Sequence, residues 1–370
     1  MISLGLTSFL VPFAISLLSS LLIVRTRSWH GKYSYDSLTG VQKVHREAVP
    51  RIGGLALFLG LCAADYFMPL AVQEIFNPFL FIISISFSFG LVEDLSKQVP
   101  VVMRLWATMI PGVVGYYLTG YSLNQFGYGW LDLLFQWPIV SIAFTAFAIC
   151  GVTHAINIID GFNGLASWSS LWILIGLIVI ALSVGDAPLA MVAIALLACT
   201  IGFLLVNWPW GKIFLGDGGA YLLGCAIAWL CVALVNRNPV VSPFALLVLC
   251  SYPIIEILFS MARRVKTKMS TGQPDRSHLH QLVAQSLIYP ALKKRFSATI
   301  SNSSTGFLMG ALSIPPMLLA ITFAQNQSAC LASFGFLVLA YILLYRWAQK
   351  RSKRGGNLVP DRSLDLIDLG

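Results

Sequence analysis

Charge is what this chain has least of. Only 11% of its 370 residues are Asp, Glu, Lys or Arg, against 57% that are hydrophobic. A soluble domain carries about a quarter charged residues, so composition excludes a soluble globule and points to an integral membrane protein. The 7 cysteines include no CxxC pair, so neither a disulfide framework nor a zinc site is expected. Cys62, Cys150, Cys199, Cys225, Cys231 and Cys250 lie in apolar runs and Cys330 lies near a loop; they read as small core residues. No lysine or arginine precedes the first apolar run, which therefore lacks the basic leader of a cleaved signal and reads as a retained helix. The period-2 alternation of a membrane β-barrel is missing too, which leaves an all-α helical bundle.

What is present is a series of apolar runs long enough for about 30 Å of hydrocarbon. They fall at roughly 4–24, 52–72, 78–92, 99–120, 137–156, 165–184, 187–206, 219–235, 241–261, 305–324 and 328–347. Read with the helical rise, they predict about eleven transmembrane helices, or ten if one of the two weaker runs fails. The third run is short and the fourth contains Pro111. No internal repeat is evident, so residues 1–347 are read as one multi-pass domain, with 348–370 as a flexible tail.

The gaps between runs sort by parity. Of the 24 lysines and arginines, every one but Arg237 is counted after an odd-numbered run, with Arg104 just inside run four. The positive-inside rule then places the N-terminus outside and the C-terminus in the cytoplasm. The net charge of +9 is mostly this topological signal, and no aromatic–basic module points to nucleic acid. The unusual polar groups obey the same parity. His45 follows run one, Glu93 and Asp94 run three, Asn157 to Asn163 run five, Asp217 run seven, and His278 and His280 run nine. Even gaps hold ordinary turn material such as "GDAP" and "NRNP". The chemistry is therefore expected on the cytoplasmic face.

Five stretches carry it. "GLVEDLSK" sets Glu93 beside Asp94 at a helix end, suited to general-base or metal work, or else a wetted acid pair. "NIIDGFNGLA" spaces Asn157, Asp160 and Asn163 three apart, on one side of a helical turn or in the loop that ends it. "FLGDGGAYLLG" surrounds Asp217 with glycines before an apolar helix. The glycines would let backbone approach a phosphate and Asp217 hold Mg²⁺, or Asp217 is simply a helix cap. "VHREAVPRIGG" carries His45, Arg46 and Arg51. "PDRSHLH" carries Arg276, His278 and His280; histidines at i, i+2 do not share a helix face, so phosphate contact is expected rather than a helical metal pair. Trp208 and Trp210 read as interface anchors.

Taken in order, these stretches resemble the polyprenyl-phosphate N-acetylhexosamine-1-phosphate transferases over residues 40–285. That resemblance implies transfer of a sugar-1-phosphate from a UDP-sugar to undecaprenyl phosphate, with UMP released and Mg²⁺ (or Mn²⁺) as cofactor. It implies Asp217 as the leading metal ligand and Asn157 as a second. Asp160 and Asn163 would line the nucleotide pocket, with the Asn163 amide pairing with uracil. Asp94, with Glu93, would act as base or orient the lipid phosphate. Arg276, His278 and His280 would hold the diphosphate or sugar, and Arg104 and His45 would meet the lipid phosphate. A bacterial inner-membrane location, a homodimer and a role in starting a cell-surface glycan such as O-antigen or capsule come with the resemblance alone.

Departures from the family pattern are Glu93, Asn163 and Ala220. "HLHQ" in place of three adjacent histidines points to GlcNAc-type enzymes rather than the MurNAc-pentapeptide one. Two other classes compete. A transporter or lipid flippase needs acids near mid-membrane, and only Asp65 and Glu256 lie well inside runs. An intramembrane prenyltransferase needs paired DxxxD-type motifs, which are missing.

Overall fold

Backbone amides cannot stay unpaired in hydrocarbon, so apolar runs of this length become helices, which close their hydrogen bonds within one segment. The computed structural model describes residues 6–35, 49–267, 277–292 and 296–355. Among them the β content is one isolated bridge, Tyr35 to Pro50. The helices are α1 (Leu6–Arg25), α2 (Arg27–Ser34), α3 (Gly53–Tyr66), α4 (Leu70–Ser96), α5 (Val101–Thr119), α6 (Gly129–Phe135), α7 (Pro138–Ile159), α8 (Leu165–Ser183) and α9 (Ala187–Asn207). They continue with α10 (Gly216–Arg237), α11 (Pro243–Leu249), α12 (Ser251–Thr267), α13 (Leu279–Val283), α14 (Tyr289–Leu292), α15 (Ala298–Gly310), α16 (Ile314–Thr322) and α17 (Gln327–Gly355).

Among the described residues nine apolar stretches are long enough to cross a membrane, and the α11–α12 pair, bent by 76°, makes a tenth. The chain is a multi-pass helical membrane protein. The expected eleventh span is the second run, and it shortens to α3, whose 14 residues rise about 21 Å, less than the hydrocarbon core. The third run errs the other way. It is a 27-residue helix with Pro78 inside it, because Gln73, Glu74 and Asn77 belong to the helix and hide its start from a hydropathy reading. Gln73 Nε2 donates to the Asp65 carbonyl at 3.1 Å, so Asp65 lies where α3 turns into α4. The tail also differs from expectation, since 348–355 continue α17 as helix. The rest of the tail lies outside the described residues.

At the centre stands α10, with 94% of its apolar stretch buried against 28% for α1 and 22% for α17. Small residues make that enclosure feasible, because they let helix backbones meet where lipid offers no hydrophobic drive. A Cβ on Gly54 would stand 2.3 Å from Gly219 N, and one on Gly90 would stand 2.6 Å from Gly218 Cα. The glycines that looked suited to a phosphate therefore seat α3 and α4 against α10.

The parity of the gaps is a physical grouping. At one end, even gaps meet each other: Asp186 accepts from Leu189 N at 3.2 Å, from Arg237 Nε at 2.7 Å and from Asn238 Nδ2 at 2.9 Å. Burial works to raise the Asp186 carboxyl, and the Arg237 and Asn238 hydrogen bonds outweigh it and hold the group low. Arg237, the lone basic residue of the even gaps, thus clamps α10 to the start of α9. The odd gaps meet at the other end.

Candidate active site

The site is built on the first turn of α10. Phe214 N donates to Pro50 O at 2.8 Å, while Gly53 N and Gly54 N donate to Phe214 O and Leu215 O at 2.9 and 3.0 Å. This short backbone pairing fastens the segment entering α3 to the segment entering α10, and it delivers Arg51 to the site. Gly216 turns the chain at φ 75°. A Cβ there would stand 2.3 Å from Arg51 O and 2.5 Å from Asp94 Oδ2, so both conformation and space require glycine.

Asp94 is 1% exposed and spoken for. Its Oδ1 and Oδ2 accept from the backbone N–H groups of Asp217 and Gly218, both at 2.8 Å, and Arg51 Nε lies 3.2 Å from Oδ1. A carboxylate on α4 therefore caps the orphan amides of α10. Glu93 is committed as well. Its Oε2 accepts from Val99 N at 2.8 Å and its Oε1 pairs with Arg104 Nη2 at 2.5 Å, closing the turn between α4 and α5. The two members of the expected pair thus face separate partners.

Asp217 is different. Its Oδ1 meets Arg51 Nη2 at 2.9 Å and the Asn157 amide at 2.9 Å, while Arg104 Nη1 lies 3.9 Å from Oδ2. Asn157 and Asp217, expected to act together, do converge. Asp160 follows α7 within reach of the same charges. Burial pushes its carboxyl up to about 7, with Arg51 working to lower it and Asp217 to raise it.

Asn163 does not join them. It is 3% exposed, with its N–H on Asn302 Oδ1 at 2.8 Å and its Nδ2 on Ser303 Oγ at 3.2 Å. The residue ties the 160–164 turn to α15. Trp208 is similarly occupied, donating from Nε1 to Ser303 O at 3.0 Å, whereas Trp210 is 58% exposed, as an interface anchor would be.

His278 and His280 arrive from the far side of α12. Sequence spacing argued against their sharing a face, yet their rings stack 5.3 Å apart at 1°. The reason is local: His278 is the extended N-cap of α13, at φ −69° and ψ 149°, so helical geometry does not govern the pair. His280 packs edge-on to Phe162, 5.6 Å between centroids, and its Nε2 would lie 3.3 Å from a Cβ on Gly161. The histidine pair therefore abuts the Asp160 turn. His45 and Arg276 lie outside the described residues.

Three participants escaped assignment from sequence. Arg51 sat in a quoted motif, but only the backbone pairing of 50–54 with 214–215 shows that it bridges Asp94 and Asp217. His154, a turn before Asn157, has Nε2 3.1 Å from Thr108 Oγ1 and its ring 5.5 Å from Tyr221; a histidine three residues ahead of Asn157 was the available signal. Glu256 bonds His278 Nδ1 at 3.0 Å, and an acid inside an apolar run was a reason to look for its partner. Asp65 at a helix junction and Glu256 on a histidine leave the transporter reading without an unexplained acid among the described residues.

The family model described as "Glycosyl transferase family 4" matches residues 76–235, from within α4 to near the end of α10. A "Probable undecaprenyl-phosphate N-acetylglucosaminyl 1-phosphate transferase" of Bacillus subtilis (strain 168) is 31% identical over 245 residues, 65% of this chain and 66% of the relative. An "Undecaprenyl-phosphate alpha-N-acetylglucosaminyl 1-phosphate transferase" of Escherichia coli O157:H7 is 24% identical over 283 residues, 73% of this chain and 74% of the relative. The protein of the same description from Salmonella typhi is 25% identical over 291 residues, 75% and 77% of the two chains. The match to the Bacillus relative thus spans about two thirds of that protein's length.

Proposed function

Since the chain belongs to glycosyl transferase family 4, we propose that it transfers a sugar-1-phosphate, GlcNAc-1-phosphate or another N-acetylhexosamine-1-phosphate, from a UDP-sugar to undecaprenyl phosphate. One observation carries this reading: Arg51, Arg104, Asn157 and Asp217, from four separate odd gaps or the helix ends beside them, converge within hydrogen-bond or ion-pair distance.

The chemistry is an exchange at phosphorus. An oxygen of the lipid phosphate attacks the sugar-bearing phosphorus, the bond from that phosphorus to the bridging oxygen breaks, and UMP leaves with the bridging oxygen. A phosphate monoester has its second pKa near 6, so attacking and leaving groups are both largely ionised near pH 7. Proton transfer is then a minor need, and the difficulty is bringing two anions together. Arg51 and Arg104 supply positive charge at that point. Arg104 also stands beside the exposed Val101, Val102, Leu105 and Trp106, an apolar surface on which a prenyl chain could lie while its phosphate reaches the guanidinium. His278 and His280, against the Asp160 turn, would hold the donor's diphosphate.

A Mg²⁺ ion fits the residues present. Among the described residues Glu93, Asp94, Asp160 and Asp217 face Arg51 and Arg104, an excess of acid that a divalent ion would balance. No group of three or more His, Cys, Asp or Glu among them forms a metal cage. Mg²⁺ needs none, because it keeps waters and is shared between one or two carboxylates and substrate phosphates. Asp217 would hold it, with Asn157 beside it. When bound, the ion would offset phosphate charge as a Lewis acid. The positive-inside rule applied to the basic odd gaps supports a cytoplasmic position for this end, where nucleotide sugars are made, and the product would start a cell-surface glycan.

The test is direct. Protein purified in detergent or nanodiscs, given UDP-GlcNAc and undecaprenyl phosphate, should release UMP and form a diphosphate-linked lipid, and EDTA should stop both. Inertness across a panel of UDP-hexosamines would end the reading. A second expectation follows from the place of Asn163. Asn163→Ala should cost about 1 kcal/mol of stability, the net worth of a hydrogen bond, and move the donor KM less than threefold. A tenfold rise in KM at unchanged melting temperature would return Asn163 to the nucleotide pocket.

A further inference from the structure

Glu256 lies in α12 just past the bend of a broken span and is 1% exposed. A carboxylate so placed is costly unless paired and hydrogen-bonded, and an apolar side chain of similar volume would pack the same space without that cost. Its presence calls for a purpose. Oε1 accepts from Leu279 N at 3.0 Å and meets His278 Nδ1 at 3.0 Å. An ionised carboxylate has no hydrogen to give, so the hydrogen it shares with the imidazole sits on Nδ1, and Glu256 sets both tautomer and ring plane.

The neighbouring residue is fastened by the same helix. Ser277 O accepts from Arg263 and from Tyr345 Oη, the latter at 3.1 Å, and Arg263 Nη1 donates to Tyr345 Oη at 2.7 Å. Residues 277–279 are therefore strapped to α12 at successive backbone and side-chain points. On its face, the His278 ring lies parallel to His280, which abuts Gly161. The chain of contacts runs from a buried carboxylate, through two stacked imidazoles, to the Asp160 turn.

We propose that Glu256 is a positioning residue for the transfer reaction, holding His278 as its Nδ1–H tautomer so that the His278–His280 pair is presented in one fixed orientation to the diphosphate of the nucleotide sugar. The proposal rests on the function argued above. Glu256 touches no substrate; it acts through His278.

The experiment is a double-mutant cycle on the full chain in detergent or nanodiscs, with UDP-GlcNAc and undecaprenyl phosphate as substrates. Glu256→Gln keeps size and an accepting oxygen but removes the charge. It should lower kcat/KM for the donor about 10- to 100-fold, the range for losing a charge-assisted hydrogen bond, with melting temperature nearly unchanged. Glu256→Asp should retain part of the activity. In a His278→Ala background, Glu256→Gln should cost less than threefold more, because the group it positions is gone. Equal losses in both backgrounds, or undiminished activity of Glu256→Gln beside an impaired His278→Ala, would overturn the positioning role while leaving the transferase reading intact. If His278→Ala is fully active while wild type transfers, the inference fails at its first link. An inert wild type would instead remove the function on which it rests. Should Glu256→Gln fail to fold, Glu256→Asp takes its place in the cycle with the same criteria.

Discussion

Replacing Asp217 with Asn is expected to reduce UMP release about 10³-fold or more, at the upper end of what one preorganised electrostatic group contributes to a reaction. The fold should survive. Asn keeps an oxygen where Oδ1 accepts from Asn157 and faces Arg51, and the first-turn amides of α10 remain capped by Asp94. What disappears is the negative charge around which Arg51, Arg104 and Asn157 are gathered, and with it the oxygen proposed to hold the divalent ion. Initial rates at saturating and limiting Mg²⁺, alongside a thermal melt, decide the matter. A variant within tenfold of wild type at saturating Mg²⁺ would falsify the assignment of Asp217.

Asp94→Asn is expected to fail in another way, losing stability and activity together. Both oxygens of Asp94 accept backbone N–H groups, and one of them also faces Arg51. An amide supplies only one accepting oxygen, so one N–H of α10 would confront an NH₂ group, and Arg51 would lose part of its counter-charge. The cost of a stranded buried donor is about 1–3 kcal/mol, and displacement of the α10 turn carrying Asp217 should lower the rate about 10²-fold, because ångström misplacements matter that much. A general base predicts a different signature. Removing a base leaves stability alone, and the residual rate climbs with pH as hydroxide or an ionised acceptor substitutes for it. An unchanged melting temperature with a residual rate rising tenfold per pH unit would restore Asp94 to that role.

Asp94 and Asn163 show where a sequence reading stops. Each turns its side chain toward a segment far along the chain, Asp94 to Gly218, 124 residues on, and Asn163 to Ser303, 140 residues on. No local pattern encodes such pairings. The stacked histidines mark a similar limit, because the i, i+2 rule holds inside a helix and His278 stands just outside one. The glycines around Asp217 carried a correct message, close approach, whose partner proved to be helix backbone.

Other properties were settled by sequence alone. Scarce charge and long apolar runs dictate a helical membrane protein, since hydrocarbon tolerates no unpaired backbone. The confinement of basic and unusual polar residues to odd gaps placed Arg51, Asp94, Asn157, Asp217 and His280 at one end before any contact was known. These are statements about order along a line, and they add up locally. Which carboxylate caps a helix, which gathers cations and which steers a histidine was decided by packing in three dimensions. A buried oxygen has a fixed number of bonds to give, and only the assembled helices determine which groups reach it first.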